Sequence, residues 1–184
     1  MQTNQSAKDA VECDLLRRAA QGDMQAFNQL YASTRRQIYT YLSRMLVVRA
    51  IADIALVETY LQAAKCAVKF KGTVKVSTWL LSIARTIAHH KLSQPHIKKA
   101  IEKQIINTQT KISLNSLDKQ RLLYQAIHTL PLQHRDILNL VLLSNSNYED
   151  MARILKSPLE NVKSEVFQAK EAFKKNLLSV GVAQ

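Results

Sequence analysis

The chain has 184 residues, 47% of them hydrophobic, and this composition excludes an intrinsically disordered protein. Only 3 Gly and 3 Pro occur, which disfavours a β architecture with many turns and excludes a glycine-rich phosphate loop. Lysine and arginine total 26 against 14 acidic residues. The net charge of +12 therefore indicates a polyanionic partner, nucleic acid first and an anionic membrane second.

Residues 12–20 are predicted to form a short helix that ends at Gly22, and Asp23 is a good N-cap for a long helix to about Val48. A third helix is expected at about 50–69. Its apolar residues form one stripe: Ile54, Val57, Leu61, Ala64 and Val68. After a basic loop containing Gly72, Ser77 or Thr78 is expected to cap a fourth helix. Its predicted core face is Leu80, Ile83, Ala84, Ile87 and Ala88.

The helical pattern weakens in residues 93–116. Pro95 is expected to end the fourth helix, and the polar run NTQTK is typical of a linker. The run IKKAIEKQII is compatible with a short helix. The sequence therefore predicts a flexible linker here, between a module of residues 1–92 and a second helical module that begins near Leu117.

The second module is predicted to contain four helices that end in a helix-turn-helix. The first has an amphipathic face: Leu122, Leu123, Ala126, Ile127 and Leu130. Pro131 opens the next, whose predicted buried residues are Ile137, Leu138, Val141 and Leu142. Asn147 is expected to cap YEDMARIL, and a turn at Lys156–Ser157 leads to the last helix. There Ser157, Pro158 and Glu160 make a capping box.

The last helix has two distinct faces. The predicted core stripe is Val162, Val166, Ala169, Phe173 and Leu177. The outward residues are Asn161, Ser164, Phe167, Gln168 and Glu171, flanked by Lys163, Lys170 and Lys174. In a helix-turn-helix such a face enters the major groove and the lysines meet phosphates. The alternative is an ordinary solvated amphipathic helix.

The two cysteines, Cys13 and Cys66, make neither a disulfide framework nor a metal knuckle. The polar N-terminus lacks an apolar signal sequence, and no run of about 18 apolar residues occurs. The five histidines show no ligand spacing or partner carboxylates. We therefore expect a cytoplasmic protein that is not an enzyme, with no metal, no cofactor and no membrane partner.

Five segments in order resemble the extracytoplasmic-function (ECF) group of bacterial RNA polymerase sigma factors, in the sigma-70 family. GDMQAFNQLYASTRRQIYTYLSRML and VETYLQAAKCAVKFKGTVKVSTWLLSIARTIA are similar to domain 2 of that family. LYQAIHTLPLQHRDILNL, YEDMARIL and SPLENVKS are similar to domain 4. The resemblance implies an all-α fold, with domain 2 at residues 1–92, a linker at 93–116 and domain 4 at 117–184.

The resemblance also implies partners: the β′ clamp and β flap of core RNA polymerase, promoter DNA, and an anti-sigma factor or an auxiliary DNA-bound recruiting protein. Its core-polymerase-binding residues would be Arg44, Asp53, Ile54, Val57, Glu58 and Leu61. Its −10 DNA-binding residues would be Phe70, Lys71, Gly72, Thr73, Val74, Lys75, Ser77, Thr78, Trp79, Arg85 and His89. For Trp79 a role in the helix core is the competing interpretation. Its −35 DNA-binding residues would be Ser157, Asn161, Lys163, Ser164, Phe167, Gln168, Lys170 and Lys174.

The chain departs from the family's pattern in both interfaces. Where the family's clamp-binding stretch reads Asp-Leu-x-Gln-Glu, residues 54–58 are IALVE, and a family Trp is replaced by Ala64. In the last helix two family arginines are replaced by Glu165 and Gln168, which removes phosphate attraction and guanine contacts. The linker is basic, whereas the family's is often acidic.

Three hypotheses follow from these residues. The first is a working but divergent sigma factor whose −35 recognition is weakened or altered and is aided by another DNA-bound factor. The second is a sigma-like regulator that no longer initiates transcription and acts through a protein partner or DNA. The third is an RNA-binding helical protein. Co-elution with core polymerase distinguishes the first from the second.

Overall fold

A computed structural model describes the backbone of residues 2–113, 118–143 and 148–179, and the side chains of residues 8–108, 123–143 and 148–179. The protein is all-α, as predicted. The helices described are α1 (Gln2–Ala20), α2 (Met24–Leu46), α3 (Arg49–Cys66), α4 (Val76–Leu92), α5 (Pro95–Ser113), α6 (Asp118–His128), α7 (Leu132–Leu143), α8 (Tyr148–Leu155) and α9 (Leu159–Ser179), with a 3-10 turn at Ala67–Lys69. We call α1–α4 the N-terminal module and α6–α9 the C-terminal module.

The N-cap of α2 is confirmed at Asp23. One carboxylate oxygen accepts hydrogen bonds from the backbone N–H groups of Gln25 (2.9 Å) and Ala26 (3.0 Å), and the other accepts from Arg18 (2.7 Å). Gly22 adopts a φ of +94°, which reverses the chain between α1 and α2 at little steric cost. The first helix is longer than predicted, because it begins ten residues before the predicted start at residue 12.

Helix α3 does not pack against the core with the face that carries its predicted apolar stripe. The residues buried against α2 and α4 are small or hydrogen-bonded: Ala52, Ala55, Leu56, Thr59, Tyr60 and Ala63. Because alanines allow a close approach between helices, the larger side chains of the stripe point to solvent.

The predicted caps of α4 and α9 are wrong. Lys75 is the N-cap of α4 and makes no side-chain cap hydrogen bond, while Ser77 and Thr78 lie inside the first turn. At the start of α9, Glu160 pairs with Lys163 (3.1 Å) and no capping bond is seen from Ser157. Each chain reversal is instead made by backbone geometry before the helix.

The predicted linker contains helix α5, so the expectation of a flexible segment with at most a short helix needs correction. Pro95 begins this helix, since proline fits the first helical position where its missing N–H is not needed. Ile97 and Ile101 are buried at helical spacing and Ile105 is partly buried against the same core. The polar run NTQTK continues the helix because these apolar residues hold its preceding turns in place.

The C-terminal module contains the predicted helix-turn-helix. Lys156 has a φ of +55°, and the Ser157 N–H bonds the Ala152 carbonyl across the turn (3.0 Å), which ends α8 with a left-handed residue. The core stripe of α9 is confirmed, with Val162, Val166 and Ala169 buried.

Not every predicted core residue of this module is buried. In α7, Ile137 and Leu138 are buried as predicted, but Leu142 is 65% exposed and Leu140 takes the buried position. Ala126 and Leu130 are buried, whereas Leu123 of the α6 face is exposed. The predicted cap Asn147 and the predicted start at Leu117 lie outside the described residues.

The two modules pack directly against each other. Helix α7 lies against α2, and α8 lies against α4. The buried apolar residues of both modules form one continuous cluster, from Leu15 in α1 to Ala169 in α9. In the described part of the chain, no helix has the length and apolar character needed to cross a membrane.

Candidate nucleic-acid and protein interfaces

An exposed apolar stripe runs along the outer face of α3. Ile54, Val57 and Leu61 are 55%, 58% and 59% exposed, and they follow one another at helical spacing. Apolar side chains that lie side by side on an exposed helix face are a candidate contact surface. The stripe is therefore surface rather than core, which the sequence alone does not decide.

One of the polar residues predicted beside this stripe, Glu58, is already engaged in a contact within the protein. Glu58 accepts a hydrogen bond from Lys91 of α4 (2.8 Å), so it also ties α3 to α4. Asp53 lies 3.9 Å from Arg49 and both are exposed. Arg44 is exposed near the end of α2. Asp53 and Arg44 thus remain available at the surface, while Glu58 has a structural partner.

The loop between the 3-10 turn and α4 presents some of the predicted −10 residues. The predicted role of Thr78 is wrong, because Thr78 is buried in the first turn of α4. Lys71, Gly72 and Thr73 are exposed, and Gly72 has a φ of +70°, a conformation that favours glycine. Phe70 lies at the start of the loop and Trp79 follows its end, and the two rings contact each other with centroids 5.1 Å apart. Trp79 is half-buried at the edge of the core, so it both supports the loop and keeps one part of its ring accessible.

Arg85 and His89 do not face solvent alone, because both bind Asp136 of α7. Arg85 Nε lies 2.7 Å and His89 Nε2 2.8 Å from Asp136 Oδ2, while Tyr41 of α2 donates its hydroxyl to Oδ1 (2.7 Å). Asp136 is 1% exposed. A single carboxylate thus joins three side chains of the N-terminal module to the C-terminal module.

The surroundings of Asp136 keep it ionised. Burial would raise the pKa of this carboxyl, but the His89 hydrogen bond, the Arg85 charge and the Tyr41 hydroxyl outweigh burial and hold the pKa below its ordinary value. Burial beside Asp136 raises the pKa of Tyr41 well above its usual value, so Tyr41 stays a hydrogen-bond donor.

We expect the stability of the protein to fall in acid partly through Asp136. A carboxyl whose folded pKa is depressed contributes stability above its unfolded pKa, about 3.9, and loses that contribution as pH falls through the folded value. The urea midpoint should therefore drop between pH 5 and pH 3, and Asp136→Asn should show a smaller drop. An equal drop in both proteins would assign the acid sensitivity to other carboxyls, such as Asp23, whose pKa is also lowered.

Helix α8 contacts the same loop. Asp150 lies 3.5 Å from Lys75, and Arg153 donates a hydrogen bond to the Thr73 carbonyl (2.9 Å). Asp150 is 6% exposed. The C-terminal module therefore contacts the predicted −10 surface at the loop as well as at Arg85 and His89.

The outward face of α9 is exposed throughout, as predicted. Phe167 is 66% exposed, and Asn161, Ser164, Gln168 and Glu171 are exposed with it. The flanking lysines Lys163, Lys170 and Lys174 are exposed as well. An aromatic side chain therefore lies at the centre of this face, with positively and negatively charged side chains around it.

Two solved structures share this fold. The chain aligns with CnrH in complex with the cytosolic domain of CnrY at a TM-score of 0.69 and 14% identity, covering 92% of this chain and 98% of that one. It aligns with the sigma factor RpoE in complex with the anti-sigma factor NepR from Bartonella quintana at a TM-score of 0.60 and 19% identity, covering 86% and 99%. No protein-family model matches the chain.

Curated relatives match nearly the whole chain. The ECF RNA polymerase sigma-E factor of Haemophilus influenzae is 26% identical over 179 residues, which cover 90% of this chain and 94% of that protein. The protein of the same name in Escherichia coli K12 is 26% identical over 174 residues, covering 86% and 90%. The chain is similar to ECF sigma factors over nearly its full length. Its identity to these relatives is low, so its sequence diverges from theirs across most of its length.

The sequence-based predictions missed the residues that join the modules. Asp136 gave one local signal, since it is an acidic residue within the apolar helix run DILNLVLL. Tyr41, Asp150 and Arg153 gave none, because each is an ordinary residue type for its helix. Their importance depends on contacts between segments about 50 to 95 positions apart.

Proposed function

We propose that the chain is a working sigma factor that binds core RNA polymerase and directs promoter-specific initiation in the cytoplasm. The observation that carries this proposal is the exposed stripe of Ile54, Val57 and Leu61, at the position where the family binds the polymerase clamp. An apolar contact there replaces the acidic and amide contacts of the family. Domain 2 would comprise residues 1–92, and domain 4, residues 117–184, would meet the β flap.

The test of this proposal is co-elution of the full chain with purified core polymerase, followed by transcription in vitro from a genomic fragment library. Co-elution with selective transcripts supports initiation. Co-elution without transcripts would favour the second candidate, a sigma-like regulator, which is motivated by the altered residues at 54–57. Absence of co-elution rejects the initiation function and leaves the sigma-like regulator, which acts through another protein partner or DNA.

An anti-sigma partner is also proposed for this chain. The structures of CnrH with CnrY and of RpoE with NepR each hold a partner, the second named as an anti-sigma factor. The same apolar stripe suits such a partner, since an inhibitor that covers it would exclude polymerase.

For −35 recognition we propose a weakened contact that another DNA-bound protein assists. Phosphate contacts on α9 come mainly from Lys163, Lys170 and Lys174. Because Glu160, Glu165 and Glu171 oppose them, the counterion-release contribution is small. Exposed Phe167 suits a protein contact; the alternative is packing on a thymine methyl in the groove.

We expect Phe167→Ser to reduce transcription from promoters that need the assisting protein, by about tenfold, while leaving binding of the full chain to random duplex DNA unchanged. This change corresponds to a loss of about 1.4 kcal/mol, within the range for a buried aromatic contact. Lys174→Ser is the matched control, expected to weaken duplex binding. If random-duplex selection with wild type yields one defined sequence at sub-micromolar affinity, ordinary −35 recognition is restored instead.

A further inference from the structure

The cations that the proposed function assigns to −10 DNA are bound by carboxylates of the chain itself. Asp136 holds Arg85 and His89, and Asp150 holds Lys75. Both carboxylates lie in the C-terminal module, and both are almost fully buried. Each occupies the position that a DNA phosphate would need beside the same side chains.

We propose that Asp136 and Asp150 form an autoinhibitory contact in which the C-terminal module covers the −10 DNA surface of the N-terminal module. This inference rests on the proposed function for the identity of that surface. The closed arrangement itself rests on the observed contacts, which hold whatever the surface binds.

The closed arrangement is incompatible with simultaneous use of two promoter elements. Positions −10 and −35 are about 25 base pairs apart, roughly 85 Å of duplex at about 3.4 Å per base pair. In the closed chain, Arg153 of α8 lies 2.9 Å from the Thr73 carbonyl of the −10 loop. The modules must therefore separate before both elements can be contacted.

The contact can be displaced by an incoming anion. The side chains of Arg85 and His89 keep 27% and 33% of their surface exposed although their carboxylate partner is buried. A cleft of about 580 Å³ opens beside them and is also lined by Lys156. A single strand of DNA can approach through this cleft and compete with Asp136 for the same cations.

The test compares two full-length double variants that change charge equally. Asp136→Asn with Asp150→Asn removes both carboxylates from the junction. Asp14→Asn with Glu102→Gln removes two exposed carboxylates that lie neither at the junction nor on the DNA-facing side of α9. The probes are small-angle X-ray scattering and fluorescence anisotropy with a labelled mixed-sequence single strand of about 12 nucleotides, within the site sizes of single-strand binders.

We expect the junction variant to have a larger radius of gyration and about tenfold tighter binding to the strand. The reason is that a larger fraction of its molecules is open and able to bind DNA. The control variant should gain less than twofold. Adding Lys71→Glu to the junction variant should remove most of the gain, because Lys71 is exposed on the released loop. An equal gain in the control, or a gain that survives Lys71→Glu, would overturn the proposal, as would an unchanged radius with unchanged binding.

A second variant covers the case in which the junction variant does not fold. Tyr41→Phe keeps both carboxylates and every cation and removes one hydrogen bond to Asp136, so a smaller gain of the same sign is expected. No gain in a folded Tyr41→Phe protein counts against the contact. Co-elution with core polymerase is measured separately, because its failure rejects the sigma function while the scattering result still decides whether the modules are held closed.

Discussion

Replacing Val57 and Leu61 together with aspartate is expected to abolish co-elution with core RNA polymerase while leaving the helical fold unchanged. Both side chains are more than half exposed, so the core loses little. In the proposed complex they are buried, and loss of about 1.5 kcal/mol at each position is the low end for an apolar side chain. The sum corresponds to at least a 100-fold loss of affinity at about 1.4 kcal/mol per tenfold.

The measurement is a titration of labelled protein with core polymerase, with circular dichroism to verify the fold. Val68→Asp is the matched control, because Val68 is 84% exposed and apolar but lies on the 3-10 turn beyond α3. We expect the control to bind like wild type. Wild-type affinity in the double variant would place the polymerase contact elsewhere on the chain.

Tyr41→Ala is expected to destabilise the protein by about 3–5 kcal/mol, the range for removing a buried aromatic ring. Tyr41 is fully buried in α2, and its hydroxyl bonds the ionised Asp136 of α7. Truncation therefore opens a cavity in the continuous core and also removes a donor from a buried charge. Urea unfolding followed by circular dichroism gives the free energy of unfolding.

Tyr39→Ala provides the comparison on the same helix, since Tyr39 is only partly buried against the core. Its expected cost is less than half that of Tyr41→Ala. Equal costs would mean that the ring alone, and not its place at the junction of α2 with α7, determines the loss.

Local patterns predicted the helices well because their causes are local. Asp23 caps α2 through bonds to residues two and three positions away, and the α9 stripe follows from spacing alone. The stripe on α3 shows the limit of such patterns. Its apolar periodicity was visible in the sequence, but burial went to the alanine face, and only packing against α2 and α4 decides between the two faces.

The candidate site could be predicted in part. The exposed loop at Lys71–Thr73 and the outward face of α9 follow from the sequence. The partners of Arg85, His89 and Lys75 do not, since Asp136 and Asp150 are brought to them by tertiary contacts between distant helices. The length of α5 was missed for a related reason, because burial of Ile97 and Ile101 overrides a weak local propensity.

Whether α5 is helical determines how far apart the two modules can move. Its 19 residues span about 28 Å at about 1.5 Å per residue as a helix, and about 63 Å at about 3.3 Å per residue if extended. Unwinding this segment would more than double the distance it bridges. The isoleucines that pack α5 against its neighbours therefore keep this segment helical and short. The distance that the protein can span on its target depends on whether these isoleucines stay packed.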